Sequence, residues 1–380
     1  MVLWGEICTL SKRKWRSSII KKDDFLKAGS LFLIKNDVET LKQLGIHMQS
    51  PASLMLLPYI CLCCNEALNF LEYNLTPDQL SRSSINHTQV RNKLKLFSDR
   101  YGKSIKQIKL ADSQQDKEFK KKLRFRWMHS WDVHYNLGVF CNAEGHTVGN
   151  TQLVSFLLQN PSFTIEENSQ GIYEFAVFLG SVLQMISQDL ISFEADLQMN
   201  ENEISMDWLY RDYNTDKNFN RFPDVQDGKE LTLFLLHLLS TVNFVGYELP
   251  KYIDSKNPWL LRIKYITAYY VNESLKHLVK MEVPYKSSLL EEVENRALFN
   301  SSFRSCMIHY GFYNKGVCAV KDEHLQGNPF FGLIESCFEG ISPEDYQQSL
   351  DKKILRLSKN IEKLNCNIKC IKNFKNLYRQ

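Results

Sequence analysis

The feature that most constrains this chain is a repeat near its C-terminal end. Leu350, Ile354, Leu357, Ile361, Leu364, Ile368 and Ile371 recur at alternating intervals of four and three residues. An α-helix returns side chains to one side at that spacing, so an apolar seam must run along a helix here. Its start is also marked. Ser342 suits the N-cap and Pro343 the first helical position. Glu344 and Asp345 stand where the helix dipole favours carboxylates. The spacing predicts one helix over Ser342–Tyr378 with a basic outer face. Its seam either packs on the chain's own core or pairs with a second subunit.

The remaining pattern is helical as well. Ten Pro and sixteen Gly in 380 residues are few breakers for such a length. Leu54–Leu75 is dense in apolar residues, with Pro58 as an interruption. Arg91–Arg126 reads as basic amphipathic helices, and Gly171–Leu197 as a long helix with apolar positions three and four apart. Glu230–Phe244, Pro258–Met281 (capped by Asn257) and Leu289–Tyr310 follow. The first 50 residues read as short mixed elements and Cys141–Asn150 as a loop. Residues 199–229, rich in Asn and Asp and holding Pro223 and Gly228, read as a linker. The expected fold is an all-α multi-helix bundle. A helical region of unassigned role spans 1–198, and a helical domain spans 230–380 and ends in the long amphipathic helix.

Composition narrows the class. The chain is 44% hydrophobic and 24% charged, as soluble globular proteins are. Met1–Trp15 is poor in apolar residues and leads into Lys12, Arg13, Lys14 and Arg16, so no secretory leader is expected. Leu54–Cys64 and Leu231–Leu239 are shorter than the roughly 20 residues a bilayer span needs. The expected location is cytoplasmic, with no membrane partner. Cysteines 61, 63, 64, 306 and 337 lie among apolar neighbours and read as packed, reduced thiols. Neither Cys61/Cys64 nor Cys366/Cys370 is followed by a Cys/His pair at metal spacing, so no metal is expected. There is no Gly-rich phosphate loop, dinucleotide fingerprint or H-E-x-x-H, and no cofactor is expected.

Net charge is +4 but unevenly spread. Arg91–Arg126 carries net +9 and Asp351–Gln380 net +7, which leaves −12 for the rest. Such asymmetry suits a surface that meets a polyanion, although two solvated helix faces would give the same counts. The candidate contacts are Lys120, Lys121, Lys122, Arg124 and Arg126, where cations alternate with aromatics.

One spacing points to chemistry. Arg and His separated by four residues occur at Arg82/His87, Arg124/His129 and Arg304/His309, against roughly 0.3 expected by chance from 14 Arg and 9 His. The first lies in a polar segment without periodicity. The second could stack on nucleic acid or mark a helix edge. The third lies in an apolar helical run and is followed by Tyr310. An arginine can hold phosphate and a histidine can move a proton near neutral pH, the two needs of phosphodiester cleavage. Both could equally satisfy core carbonyls and carboxylates such as Glu291, Glu292 or Glu294.

Arg304-Ser305-Cys306-Met307-Ile308-His309-Tyr310 resembles the R-x4-6-H motif of the HEPN superfamily. These are small α-helical domains of toxins, abortive-infection proteins and RNA-processing nucleases. The resemblance covers about the last 150 residues. It departs at Ser305, where the family usually has Asn, Asp or His. It implies a homodimer whose two motifs line one basic cleft, and metal-independent RNA cleavage that leaves 2′,3′-cyclic phosphate. His309 would be the general acid or base and Arg304 the stabiliser of the transition state, with Ser305 and Tyr310 beside the RNA. A toxin–antitoxin or phage-defence setting and a regulatory protein partner are implied in the same way. The alternative is a non-catalytic HEPN-like module for binding or dimerisation.

Overall fold

The computed structural model describes residues 21–48, 52–99, 101–122, 136–158, 165–195, 197, 199–200, 208–215, 219–279, 286–325 and 328–365. Several of its helices begin where capping chemistry places them. Ser342 Oγ accepts from the Asp345 amide at 3.1 Å and opens α14, Pro343–Asn365. Asn257 Oδ1 accepts from Trp259 N at 2.9 Å and opens α10, Pro258–Val279. Asn300 Oδ1 accepts from Ser302 and Phe303 and opens α12, Ser301–His309.

Buried on nearly every side, α10 lies at the centre. It packs against α1 (Lys22–His47), α4 (His87–Asp99), α8 (Gly228–Asn243), α11 (Lys286–Glu294), α12 and α14. The other main helices are α2 (Ala52–Phe70), α5 (Tyr101–Lys122), α6 (Thr151–Leu158), α7 (Ile165–Asp189) and α13 (Pro329–Cys337). Short turns α3 (Pro77–Leu80) and α9 (Leu249–Tyr252) complete the set. The apolar core contains side chains from both sides of residues 199–229.

The seam on α14 is covered by the chain's own core. Leu350, Ile354, Leu357, Ile361 and Leu364 are buried against α8 and α10. Each contributes about 1.5–3 kcal/mol by leaving water. Ile368 and Ile371 lie outside the described residues, as does the rest of the expected helix after Asn365.

The fold is mainly helical but not all-α. Strands β1 (Leu137–Cys141), β2 (Thr147–Asn150) and β3 (Leu209–Tyr213) form an antiparallel sheet in the order β2-β1-β3. A two-residue pair, β4 (Tyr313–Asn314) and β5 (Val317–Cys318), follows α12. The expected loop at Cys141–Asn150 is thus a hairpin, and the expected linker contributes β3. Gly149 is required in β2, because a Cβ there would stand 2.1 Å from the Phe140 ring. Two other expectations change. Residues 22–47 form one long helix instead of short mixed elements. The expected helix Leu289–Tyr310 is broken between α11 and α12, where Asn300 caps a new start.

After α8 the chain widens to a π-helical turn, Phe244–Glu248, with Leu249 N–H on the Phe244 carbonyl. Pro250 has no N–H to give the Gly246 carbonyl four residues back, which breaks the α-helical register. Two apolar helical stretches, Ser53–Phe70 and Gly228–Tyr252, are long enough to cross a bilayer by length and composition, but most of each is buried inside the fold.

Candidate functional site at the end of helix α12

The first and last turns of α12 are held by different parts of the molecule. Near its start, Arg304 is half-buried. Its Nη1 donates to the Tyr269 hydroxyl at 3.2 Å, and the guanidinium lies 5.3 Å from that ring. Tyr269 belongs to an aromatic group on α10 and the α12 approach, with Tyr265, Tyr270 and Phe299. Arg304 Nε is buried with no hydrogen-bond partner among the described residues. Positions five apart on a helix differ by about 140° and about 7.5 Å, so Arg304 and His309 look toward different neighbours.

At the other end, His309 faces α2. Its Nδ1 lies 2.6 Å from Glu66 Oε2, with the imidazole 52% exposed and the carboxylate only 3% exposed. Glu66 is the one charged residue in α2, Ala52–Phe70. Its other oxygen takes Arg91 of α4 and, at 3.1 Å, Asn65. Burial pushes the Glu66 carboxyl up. The His309 hydrogen bond and the Arg91 charge outweigh that, and it is held below the usual carboxylate range. An ionised carboxylate only accepts, so His309 Nδ1 carries the proton toward Glu66. This leaves Nε2 as the ring nitrogen not engaged by Glu66, and it has no partner among the described residues. A histidine held this way has one ring nitrogen fixed by a carboxylate and the other turned away from it.

The next residue makes a parallel contact inside the core. The Tyr310 hydroxyl donates to Asp37 Oδ2 of α1 at 2.6 Å and lies 3.3 Å from Cys63 Sγ of α2. Asp37 also pairs with Arg262 of α10, and both are sealed from solvent. Arg262 lies over the Tyr310 ring at 4.1 Å, and its Nε and Nη2 donate to the Met307 carbonyl at 3.0 and 2.8 Å. Met307 is in the last turn of α12, whose carbonyls lack helical partners, so Arg262 serves as a cap. Tyr310 ends the helix at φ +58°, a conformation unfavourable for a bulky aromatic. Its ring and hydroxyl contacts hold it there.

The remaining expected residues are dispersed. Ser305 is half-buried on α12. Tyr310 is 2% exposed and committed to Asp37, so it has no surface to offer RNA. Lys120 on α5 pairs with Asp116 at 2.6 Å. Lys121 and Lys122 lie in the last turn of α5, and Arg124 and Arg126 lie outside the described residues. Of the carboxylates weighed as partners for the motif, Glu292 pairs instead with Lys353 and Arg356. The arrangement also contains four residues that the motif does not announce: Asp37, Glu66, Arg91 and Arg262. A lone acid in an otherwise uncharged apolar helix was the one available sign for Glu66. Among the described residues no group of His, Cys, Asp and Glu could hold a metal ion.

No family model, curated protein or solved structure matches this chain.

Proposed function

We propose that the end of α12 is a general acid–base centre and that the protein is a metal-independent endoribonuclease of the defence or toxin type. The observation that carries this reading is the half-exposed His309 imidazole, fixed through Nδ1 by a buried, arginine-held carboxylate and open at Nε2. In the proposed reaction the ribose 2′-oxygen attacks phosphorus and loses its proton to His309 Nε2. The P–O5′ bond breaks, and the 5′-oxygen takes a proton as it leaves. The product keeps a 2′,3′-cyclic phosphate. Glu66 stabilises the imidazolium, and Arg304 is the cation available on the same helix. A homodimer would supply a second histidine as the acid. The cytoplasmic defence setting and a regulatory partner enter with the HEPN resemblance.

A second reading has its own support. Arg304 is turned onto Tyr269 and Tyr310 is sealed in the core, which is what a non-catalytic HEPN-like binding or dimerisation module would show. The test is cleavage of end-labelled RNA in EDTA by the wild type, His309→Ala, Arg304→Ala and Glu66→Gln. General acid–base catalysis predicts a loss of about 10²-fold or more for His309→Ala. Equal cleavage by wild type and His309→Ala would remove the assignment. No cleavage by a folded, dimeric wild type would favour the module.

A further inference from the structure

Helix α5 offers a face that no part of the α12 site uses. Its apolar side is already occupied, with Ile105 and Ile108 buried and the helix packed on α4, α6 and α8. Its outer arc carries Lys103, Lys106, Lys109 and Lys117, all exposed, with Leu110 and Ser113 between them. At 100° per residue these four lysines fall within about 120° of arc and about 21 Å of length. Two of the three carboxylates of α5 are engaged away from that arc. Asp112 is buried on Lys229 at 2.6 Å, and Asp116 is paired with Lys120. Lys109 is 3.5 Å from Asp227, while Lys103, Lys106 and Lys117 form no ion pair among the described residues. Among the described residues the basic excess of this stretch is therefore sorted in space. Arg91 and Lys93 go inward, Lys120 is neutralised, and the lysines at 103, 106, 109 and 117 face out.

We propose that this face of α5 is the docking surface for the phosphate backbone of single-stranded RNA. The choice of RNA rests on the nuclease reading above; the polyanion chemistry does not. Lysines act as point charges on phosphate and do not form the planar fork that reads base edges. Among the described residues of α5 no aromatic side chain stands on the arc to stack a base, so binding should tolerate sequence. A lipid surface fits less well. An interfacial helix needs a free apolar face, and here that face is spent on the core, with Leu110 the one exposed large apolar side chain among the described residues of the helix.

The experiment uses the full chain carrying His309→Ala, so that bound RNA stays intact. Binding of a fluorescein-labelled mixed-sequence RNA is followed by anisotropy across a salt series. The triple variant Lys103→Gln, Lys106→Gln, Lys117→Gln should bind about tenfold more weakly and lower the slope of log K against log salt by about 2, near 0.7 per contact. The control removes the same charge from the exposed face of α14, with Lys352→Gln, Lys359→Gln and Lys363→Gln. Matching circular dichroism confirms that both variants fold. An unchanged affinity and slope in the α5 variant would overturn the proposal, as would an equal loss in the control. So would wild-type binding to phosphatidylserine vesicles with none to RNA. The two readings fail separately. RNA cleavage that ignores the lysines leaves the nuclease and removes this face, whereas salt-dependent binding without cleavage leaves the face and removes the nuclease.

Discussion

His309 and Tyr310 are consecutive residues that meet the same chemistry in two different settings. Each reaches a carboxylate from the N-terminal part of the chain, Glu66 for one and Asp37 for the other. Each carboxylate is also held by an arginine, Arg91 or Arg262. The difference is solvent. Asp37, Arg262 and Tyr310 are closed on all sides; Arg262 Nε and Nη2 hold the end of α12 through the Met307 carbonyl, and the Tyr310 hydroxyl is given to Asp37. At Glu66 the carboxylate is closed but the histidine is half open. Partners of the same kind therefore make a lock where water is excluded and a candidate proton-transfer group where one face is left wet. Substrate access requires that open face; it is not available to Tyr310.

The comparison is broken most severely at the closed pair. Asp37→Ala leaves Arg262 charged and uncompensated in the core, with an expected cost of about 3–5 kcal/mol in denaturant unfolding. Replacing both partners, Asp37→Leu with Arg262→Met, should recover much of that loss, because a buried pair can be exchanged for apolar packing. A double variant no more stable than Asp37→Ala would mean that the pair is not what holds α12. Tyr310→Phe keeps the ring under Arg262 and removes only the donor to Asp37, for an expected loss of about 1–3 kcal/mol. Because Tyr310 fixes the residue beside His309, the same variant should also blunt the pH profile of any cleavage. A purely structural tyrosine would lower stability and leave that profile in place.

How far the sequence foretold this depends on the range of each interaction. Local signals were legible. The caps at Asn257 and Ser342 and the seam from Leu350 to Leu364 stand where their spacing put them, because capping and helical periodicity act within a few residues. The breaks were harder. Asn300 lies inside a stretch whose spaced apolar positions read as one helix, and the short strands at 137–141 and 147–150 are too brief to show a period of two. The partners of the motif were not legible. Glu66 is 243 positions from His309 and Asp37 is 273 from Tyr310, and nothing local ties them together. The motif identified His309 as a candidate, but its orientation is set by a helix from the other end of the chain.

The open pair separates stability from chemistry, and pH does this most cleanly. Glu66 titrates below its usual value of 4.5 in the folded chain, so its contribution is present above that pH and is lost as pH falls from there toward the lowered value. Glu66→Gln should cost about 1–3 kcal/mol at neutral pH, through the weakened bonds to Arg91 and His309. The gap between wild type and variant should then narrow as the acid side is approached. A gap independent of pH down to the acid unfolding limb would mean that Glu66 is not ionised in the fold.

His309→Ala is the smallest structural change and the sharpest functional one. The imidazole is half exposed, so its removal should shift stability by less than about 1 kcal/mol, in the range of a solvent-screened pair. If His309 served mainly to satisfy Glu66, the variant would instead leave a buried carboxylate short of a donor, and the cost would approach that of Tyr310→Phe. Denaturation of the two variants side by side therefore ranks the two settings directly. A small loss for His309→Ala beside a large one for Tyr310→Phe keeps the open site free for chemistry. Equal losses would make both residues parts of one lock and would remove the structural argument for the nuclease.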